Sequence, residues 1–254
     1  MIQKSWFSLI SAGAALLVAA IAKGQSPTNP PAKWKWEQMD QGPFFTSNVE
    51  FSKTNTALKV VTLRLSDGTN REAAAVAFDT MTLRWAGAWV GGFLHLPKGR
   101  DGLEGLPKPW GEMGWITPMG PGWGKDSSLA DPRPSPHERL PDNWAKWRGL
   151  HLQGDSVVLD YSVGGVSVLE QVSFRWVSGQ PVFTRILQFD QKMPRSTLLL
   201  GWLPNGEVRA LAGFGHVRDP ISQRYVAAQV NGVDTAGWLI GPGGRLVLSL
   251  PELE

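Results

Sequence analysis

Carboxylates are the first residues in this chain that could do chemistry, and Glu170 is the foremost of them. It lies in a segment whose even positions are otherwise apolar, namely Val166, Val168, Val172, Phe174 and Trp176. A carboxylate on such a face must be paired, protonated or open to a cleft, and burial raises its pKa into the range of a general acid or base. An arginine on the next apolar segment, Arg185, would instead keep Glu170 charged and structural. The pattern favours the structural interpretation and leaves the catalytic one open.

Hydrolysis of a glycosidic bond needs two carboxyl groups roughly 5 to 10 Å apart. Glu112 and Asp131 are the candidates for the second group, because both lie among tryptophans in the middle of the chain. One hypothesis is therefore a sugar-active enzyme, of glycosidase or mutarotase type, that uses Glu170 with Glu112 or Asp131. Against it, Asp131-Pro132-Arg133-Pro134 is typical of a rigid loop brace.

Tryptophans are the second group with a chemical use. Residues 96–148 hold five of the 13 tryptophans in a stretch rich in Gly and Pro. Indole rings stack on the apolar faces of sugars and build binding platforms. The predicted ligand-binding residues are Trp110, Trp115, Trp123, Trp144, Trp147 and Arg148. The alternative is that these rings form the apolar core that a long segment folded over a sheet requires.

Metal, cofactor and nucleic-acid sites have little support. The chain has no cysteine, which excludes thiolate metal sites and covalent haem attachment. Its four histidines are widely spaced and form no His-x-His or His-Glu-x-x-His motif. We therefore predict no metal and no cofactor. The formal net charge is only +3 and no basic run of five residues exists, so we predict no nucleic-acid partner.

The first 22 residues have the three regions of a secretory signal peptide. Lys4 precedes an apolar run over 6–21, and Ala20-Ile21-Ala22 supplies the small residues of a cleavage site. Cleavage after Ala22 predicts export to the periplasm or the cell exterior, with no stable membrane span left. The alternative, a membrane anchor, is disfavoured because the apolar run is short and interrupted by serines.

Strands are the elements that must position these residues. Residues 23–35 are typical of a flexible lead-in, and 36–254 then form one domain. Apolar residues alternate over 157–163 and 166–176, and Gly164-Gly165 between them favours a primed hairpin turn. Such a turn pairs Val163 with Val166, Tyr161 with Val168 and Leu159 with Glu170.

The rest of the chain has the same character. Further strands are expected at 61–65, 83–89, 182–189, 197–203, 207–212, 225–230, 238–240 and 245–250. Ten or more short strands, with no long amphipathic helical stretch, indicate an all-β fold, an antiparallel β-sandwich. Residues 96–148 are expected to be a long ordered insertion on it, in which 141–147 could form a short helix.

Five segments have a distinctive sequence: WEQMDQGPF (36–44), FDTMTLRWAGAWVGGF (78–93), GPGW (120–123), LPDNWAKWRGL (140–150) and GDSVVLDYSVG (154–164). Together they resemble the DUF6797 family, whose biochemical role is not established. The resemblance implies an exported domain of the kind found at the front of large proteins of planctomycete-like bacteria, often ahead of c-type cytochrome modules. It supplies no catalytic residues, and this chain carries no haem-binding segment to which redox activity could be assigned.

Together these observations predict a secreted, non-enzymatic module that binds a polysaccharide or a protein partner through the tryptophan-rich segment 96–148. Two alternatives stay open. The sugar-active enzyme requires Glu170 to open into a cleft shared with a second carboxylate. A structural domain that docks against a cytochrome or envelope protein requires an exposed apolar patch of several hundred Å².

Overall fold

The structure, a computed structural model, describes residues 14–21, 39–97, 105–126, 128–211, 214–233, 236–241 and 243–252. Every regular element in these residues is a β-strand, which confirms the predicted all-β class. In chain order the strands are β1 (Ala14–Ile21), β2 (Phe44–Ser52), β3 (Asn55–Leu65), β4 (Ala74–Asp79), β5 (Arg84–Val90), β6 (Leu94–His95), β7 (Lys108–Pro109), β8 (Glu112–Ile116), β9 (Trp123–Lys125), β10 (Ala145–Gln153), β11 (Ser156–Val163), β12 (Val166–Val177), β13 (Gln180–Phe189), β14 (Ser196–Trp202), β15 (Glu207–Leu211), β16 (Phe214–Arg218), β17 (Tyr225–Asn231), β18 (Gly237–Gly241) and β19 (Arg245–Leu250).

Two antiparallel sheets hold most of these strands. Sheet I has eight strands in the order β10-β11-β12-β13-β1-β17-β16-β15. Sheet II has nine, in the order β18-β19-β14-β8-β5-β4-β3-β2 with β9 paired to β14. The short strands β6 and β7 form a ladder of their own. Neighbours in sequence are mostly neighbours in a sheet, as tight turns between short strands require.

The two sheets pack face to face around one main core, as in the expected sandwich. Phe78 of β4 stacks on Tyr161 of β11 with ring centroids 5.6 Å apart. Further along, Gly201 of β14 lies so close to β17 that an added Cβ would stand 2.9 Å from Val226 Cγ1. Side chains of the two sheets therefore meet at well separated places in the strand order.

The β11–β12 hairpin has the register that its sequence predicts. Val163 pairs with Val166, Tyr161 with Val168, and Leu159 with Glu170. Gly164 and Gly165 have φ values of 58° and 86°, the positive pair that a primed turn needs. This register fixes Glu170 on the same face as the core residues of both strands.

The central stretch 96–148 contributes strands to the sandwich. Its strand β8 lies inside sheet II, where it pairs with β5 and, through a single bridge, with β14. Its strand β9 pairs with β14 over three positions. The expected short helix at 141–147 does not form, because β10 begins at Ala145 directly after a turn closed by the Trp144 and Ala145 N–H groups on the Pro141 carbonyl.

Residues 14–21, the second half of the apolar run of the predicted signal peptide, lie in sheet I as β1. It pairs antiparallel with β13 on one side and with β17 on the other. The cleavage point after Ala22 and the lead-in at 23–35 fall within 22–38, outside the described residues, so signal cleavage stays a prediction. In the described parts of the chain, no helix is long and apolar enough to cross a membrane.

Candidate functional site

Glu170 lies on β12, sealed between the two sheets. Its exposed fraction is 0%, and that of Arg185 on β13 is 2%. Three donors reach the carboxylate: the Trp85 indole N–H at 2.7 Å, the Tyr161 hydroxyl at 2.7 Å and Arg185 Nε at 2.5 Å. We call these four residues the Glu170 network. It joins β5 of sheet II to three neighbouring strands of sheet I.

The Tyr161 hydroxyl in this network stays protonated. Burial, and after it the charge of Glu170, raises the pKa of Tyr161 well above its ordinary value of 10.0. The phenol therefore remains a donor to the carboxylate at neutral pH, and Arg185 supplies the opposite charge. Three donors, one of them a guanidinium, thus satisfy a carboxyl group that would be costly to bury without partners.

These contacts support the structural interpretation of Glu170 that its sequence pattern favours, and they speak against the catalytic one. A general acid must reach a substrate, and a side chain with no exposed surface opens into no cleft. The polar atoms that face Glu170 belong to the protein, so its hydrogen-bonding capacity is taken up within the core. Without Glu170 the two-carboxylate hypothesis loses its first member.

The two partners proposed for Glu170 have other surroundings. Glu112 is half-buried on β8, opposite Val90 of β5. Asp131 accepts a 2.7 Å hydrogen bond from Arg133 Nη2, and hydrogen bonding from Arg133 lowers the pKa of this carboxyl. Arg133 also donates to the Pro136 and Glu138 carbonyls at 2.9 Å each, so Asp131 and Arg133 brace the loop.

The tryptophans of the central stretch do not form an exposed platform. Trp115 on β8 is 2% exposed and Trp123 on β9 is 0% exposed, and both belong to the main core. Trp144 and Trp147 are partly buried and pack against that core. Trp110 is half-buried beside His95, at 5.4 Å between ring centroids. As binding-site residues, Trp115 and Trp123 are thus excluded by burial.

Arg148, the last predicted ligand-binding residue, does lie at the surface. The ladder between β10 and β11 shifts register between Trp147 and Gly149, which leaves Arg148 as the extra residue of a bulge. Its guanidinium donates to Ser167 Oγ at 2.7 Å and lies 3.9 Å from Asp160. Arg148 thus links β10 to Ser167 and Asp160 on the outer surface of the β11–β12 hairpin, away from the buried indole rings.

Close backbone packing explains why Trp123 and its immediate neighbours in the central stretch are buried. Arg84, 1% exposed, donates to the carbonyls of Thr117 and Pro118 and so holds this segment against β5. An added Cβ on Gly122 would stand 2.1 Å from the Leu83 carbonyl oxygen, and one on Gly124 would stand 2.0 Å from that of Ser128. Only glycine permits these approaches. They carry Trp123 into the core between them.

A cleft on the outer surface of sheet I is the strongest candidate site that the described residues contain. It has a volume of about 280 Å³ and lies over the hairpin formed by β15 and β16. Its lining consists of Glu207, Arg209, His216, Arg218, Pro220 and Gln223. We call it the β15–β16 cleft. Charged, imidazole and carboxamide groups converge here around an open space.

Strand register explains why these side chains face outward. Glu207 pairs with Arg218 and Arg209 with His216, so the four share one face. The positions between them face the core: Val217 is fully buried, and an added Cβ on Gly215 would stand 2.5 Å from the ring of Trp238. Alternation of period two therefore sorts this hairpin into an apolar inner face and a charged outer face.

The turn after β16 forms one wall of the cleft. Asp219 accepts hydrogen bonds from the Ile221 N–H at 2.8 Å and the Ser222 hydroxyl at 2.7 Å, and the Ser222 bond lowers the pKa of Asp219. The fixed turn places Gln223, at φ 58°, where its side-chain oxygen accepts from Arg218. Arg218 is thereby oriented before any ligand arrives.

The cleft combines charge with an aromatic edge. Arg209 Nη2 lies 3.7 Å from Glu207 Oε2, with the two side chains 72% and 65% exposed. The ring of Phe214, on the same outer face, is tilted by 37° against His216 with centroids 5.9 Å apart. Phe214 is 39% exposed, which is unusual for a phenylalanine on a strand. Two guanidinium groups against one carboxylate leave the cleft positively charged.

Two other clefts are weaker candidates for a ligand-binding site. A pocket of about 220 Å³ is lined by Asp131, Met119 and Arg245 among others, but the Asp131 carboxylate is bound by Arg133. A groove of about 180 Å³ between β3 and β12 has mixed lining with Arg64 and Asp155. Across the described residues, no group of three or more His, Asp or Glu side chains is arranged to hold a metal ion.

The residues of the β15–β16 cleft were not identified from the sequence. Strands at 207–212 and 225–230 were expected, but β16 between them was missed because Gly215 near its start weakens its strand propensity. The signal that could have found it is the alternation of Phe214, His216 and Arg218 with Gly215 and Val217. Polar residues at every second position are typical of a solvent-facing strand surface.

Residues 76–170 match the model of a protein family described as a domain of unknown function, DUF6797. This match confirms the resemblance to DUF6797 over that span. The matched residues run from β4 to Glu170 on β12, so they include the buried central stretch and most of the Glu170 network. A search of curated proteins and a search of solved structures found no match to the chain.

Proposed function

We propose that this chain is an exported, non-enzymatic binding module that holds an acidic polysaccharide in the β15–β16 cleft. One observation carries the proposal: Arg209, Arg218, His216 and Gln223 converge on an open cleft of about 280 Å³ beside the exposed ring of Phe214. Export rests on the signal-peptide pattern of residues 1–22.

The chemistry of the cleft favours an anionic sugar. A guanidinium binds a carboxylate or sulfate through two parallel hydrogen bonds, which gives orientation as well as affinity. Arg218 is pre-oriented by Gln223, so little side-chain entropy is lost when it binds. Glu207 can accept hydrogen bonds from ring hydroxyls next to the bound acid group. Phe214 offers an apolar surface for the C–H face of a sugar ring.

Binding without catalysis fits the same groups. The cleft contains one carboxylate, Glu207, and this side chain is 65% exposed and lies 3.7 Å from Arg209. A glycosidase needs a second carboxyl group at a matched distance and a protected environment for the acid. The lining of the cleft supplies neither. These residues therefore suit binding of the polysaccharide better than its hydrolysis.

The experiment is affinity electrophoresis and calorimetry with polygalacturonate as the acidic probe and its fully methyl-esterified form as the neutral match. We expect the protein to bind the acid form and to lose binding as salt rises, because exposed charges are screened. Arg209→Gln with Arg218→Gln should weaken binding at least about tenfold, since each charged hydrogen bond contributes about 1.5–3 kcal/mol.

Arg175→Gln is the matched control, because Arg175 is also exposed on β12 of sheet I but lies outside the cleft. It should leave binding unchanged. Equal binding of the acid and the ester, or equal losses for the cleft variant and the Arg175 control, would refute the proposal. Binding that survives Arg209→Gln with Arg218→Gln but is lost in Phe214→Ala would move the ligand to a neutral sugar and refute the acidic part of it.

A further inference from the structure

Strand β1, which fills one strand position in sheet I, belongs to the segment that the sequence predicts to be cleaved off as a signal peptide. Residues 14–19 of β1 pair with β13, and residues 15–21 pair with β17. The same residues belong to the apolar run 6–21 of the predicted signal peptide, which has its cleavage site after Ala22. If a signal peptidase cuts there, the two flanking strands lose their common neighbour.

We propose that the exported protein has a slot between β13 and β17 that accepts a guest β-strand from another polypeptide. The guest is an extended apolar segment of about eight residues without proline, which runs antiparallel to both flanks. Its chemistry is that of β1, AALLVAAI, which the slot accommodates in a full antiparallel register. The slot thus defines both the composition and the direction of its occupant.

The β13 side of the slot is fixed to sheet II. Arg185, in the middle of β13, is bound to Glu170, and Glu170 is bound in turn to Trp85 of β5. Phe183 and Leu187, on the same strand face as Arg185, are 1% and 3% exposed. Moving β13 sideways would break a buried ion pair and expose these core residues, so β13 holds its place.

The β17 side is fixed independently. Val226 packs against Gly201 of β14 with no room for a side chain there. Arg224, just before β17, donates to the carbonyls of Met113 and Gly114 on β8, at 3.2 and 3.3 Å. These contacts anchor β17 to the part of sheet II that lies across from the slot.

The slot therefore keeps the width of a strand when it is empty. Flanks on either side of one strand stand roughly 9.5 Å apart, twice the usual spacing, whereas direct pairing needs about 4.8 Å. Since β1 runs antiparallel to both flanks, β13 and β17 run parallel to each other. To close the gap, β13 and β17 would have to pair in a new parallel register, and one of these anchored strands would have to move sideways. Binding of a guest strand requires no such movement.

Loss of the central strand gives a guest a reason to bind. With β1 in place, Val182 and Phe183 on one flank and Val226 and Ala228 on the other are all at most 5% exposed. Without an occupant, the backbone N–H and C=O groups that pair with β1 lose their partners, and two such open strand edges strongly favour a new strand. A polypeptide strand satisfies both rows of groups at once, which a glycan or a small ligand cannot do.

The test uses the full chain secreted by a bacterial host and purified as the host processes it. Mass spectrometry and N-terminal sequencing should show that the product begins at Lys23. Hydrogen exchange should then report fast exchange for amides of β13 and β17 that face the slot. Adding a synthetic AALLVAAI peptide with flanking lysines should slow exchange at 182–187 and 226–230 at least about tenfold and saturate at one peptide per chain.

The matched control is the same peptide with Val18→Pro, which removes a backbone donor from the middle of the strand. It should fail to protect these amides. Three results would overturn the proposal: a purified protein that retains residues 14–21, slot amides that are fully protected before any peptide is added, or equal protection by the two peptides.

Discussion

The central stretch 96–148 and the outer face of the β15–β16 hairpin differ from what their compositions suggest about exposure and binding. The central stretch is crowded with tryptophan, glycine and proline, yet Trp115 and Trp123 lie in the core. The hairpin has an ordinary composition, yet it presents two arginines, a histidine and an exposed phenylalanine around a cleft. The unusual composition of the central stretch thus reflects close packing in the core. The side chains suited to binding at the surface lie on the β15–β16 hairpin.

The physical reason lies in backbone approach and strand alternation. Glycines at 122 and 124 let the chain touch neighbouring backbone, and this contact buries the indole between them. In the hairpin, period-two alternation separates Val217, which is fully buried, from His216 and Arg218 on the outer face. A cluster of large rings therefore says little about function until its burial is known. Two experiments test this contrast between the regions directly, and two more test the Glu170 network in the core between the sheets.

The largest effect is expected for Trp123→Ala. Because Trp123 is 0% exposed, the change removes a full indole from the core, and we expect a loss of about 3–5 kcal/mol in the free energy of unfolding. Trp176→Ala is the matched control: Trp176 is 46% exposed and contacts Phe174 edge-on, so its loss should be under about 1.5 kcal/mol. Urea denaturation measures both. Similar losses for the two variants would show that Trp123 is not a core residue.

The next effect tests whether the Glu170 network is purely structural. Arg185→Met or Glu170→Gln alone leaves one buried charge without its partner, and each should cost about 3–5 kcal/mol. The double variant should be clearly less destabilised than the sum, because the introduced carboxamide is neutral and can still accept from Trp85. A double-mutant cycle in urea gives this coupling. Additive losses would mean that the ion pair contributes nothing as a pair.

A smaller effect, with a pH signature, is expected for Tyr161→Phe. Loss of its hydrogen bond to Glu170 should cost about 1–3 kcal/mol at neutral pH. Because the folded-state pKa of Tyr161 lies above the unfolded value, its contribution is complete below about pH 10 and is lost as pH rises through the folded-state pKa. The stability gap between wild type and variant should therefore narrow above pH 10. A constant gap up to pH 11 would contradict the raised pKa.

The smallest effect is expected on the outer hairpin face. Arg218→Gln changes an exposed side chain outside the core, so the free energy of unfolding should shift by no more than about 0.5 kcal/mol. Thermal unfolding followed by circular dichroism is sufficient. A loss comparable to that of Tyr161→Phe would show that Arg218 supports the fold and would weaken its assignment to a ligand.

Much of the fold could be predicted from the sequence, because its signals are local. Alternation and the Gly164-Gly165 turn predicted the β11–β12 register correctly. The same register put Glu170 on an apolar face and Arg185 on the next strand, and the ion pair between them is present. Local pattern sufficed because both residues lie on adjacent strands of one sheet.

The rest depends on contacts between distant parts of the chain. Nothing within 96–148 shows that β8 enters sheet II beside β5, since its neighbours come from other regions of the sequence. Burial of Trp123 depends likewise on β14 and on Leu83. The β15–β16 cleft was missed because β16 was not predicted, and without it Arg209 and Arg218 have no common face.

The most direct test of the binding proposal is a titration of the protein with oligogalacturonate followed by two-dimensional ¹H–¹⁵N NMR. Backbone amides at 207–218 and 223 should shift in a saturable way, while the indole N–H signals of Trp115 and Trp123 stay unchanged because both rings are buried. Shifts confined to indole signals of the central stretch, with the hairpin amides unmoved, would place the ligand on the tryptophans and refute binding in the β15–β16 cleft.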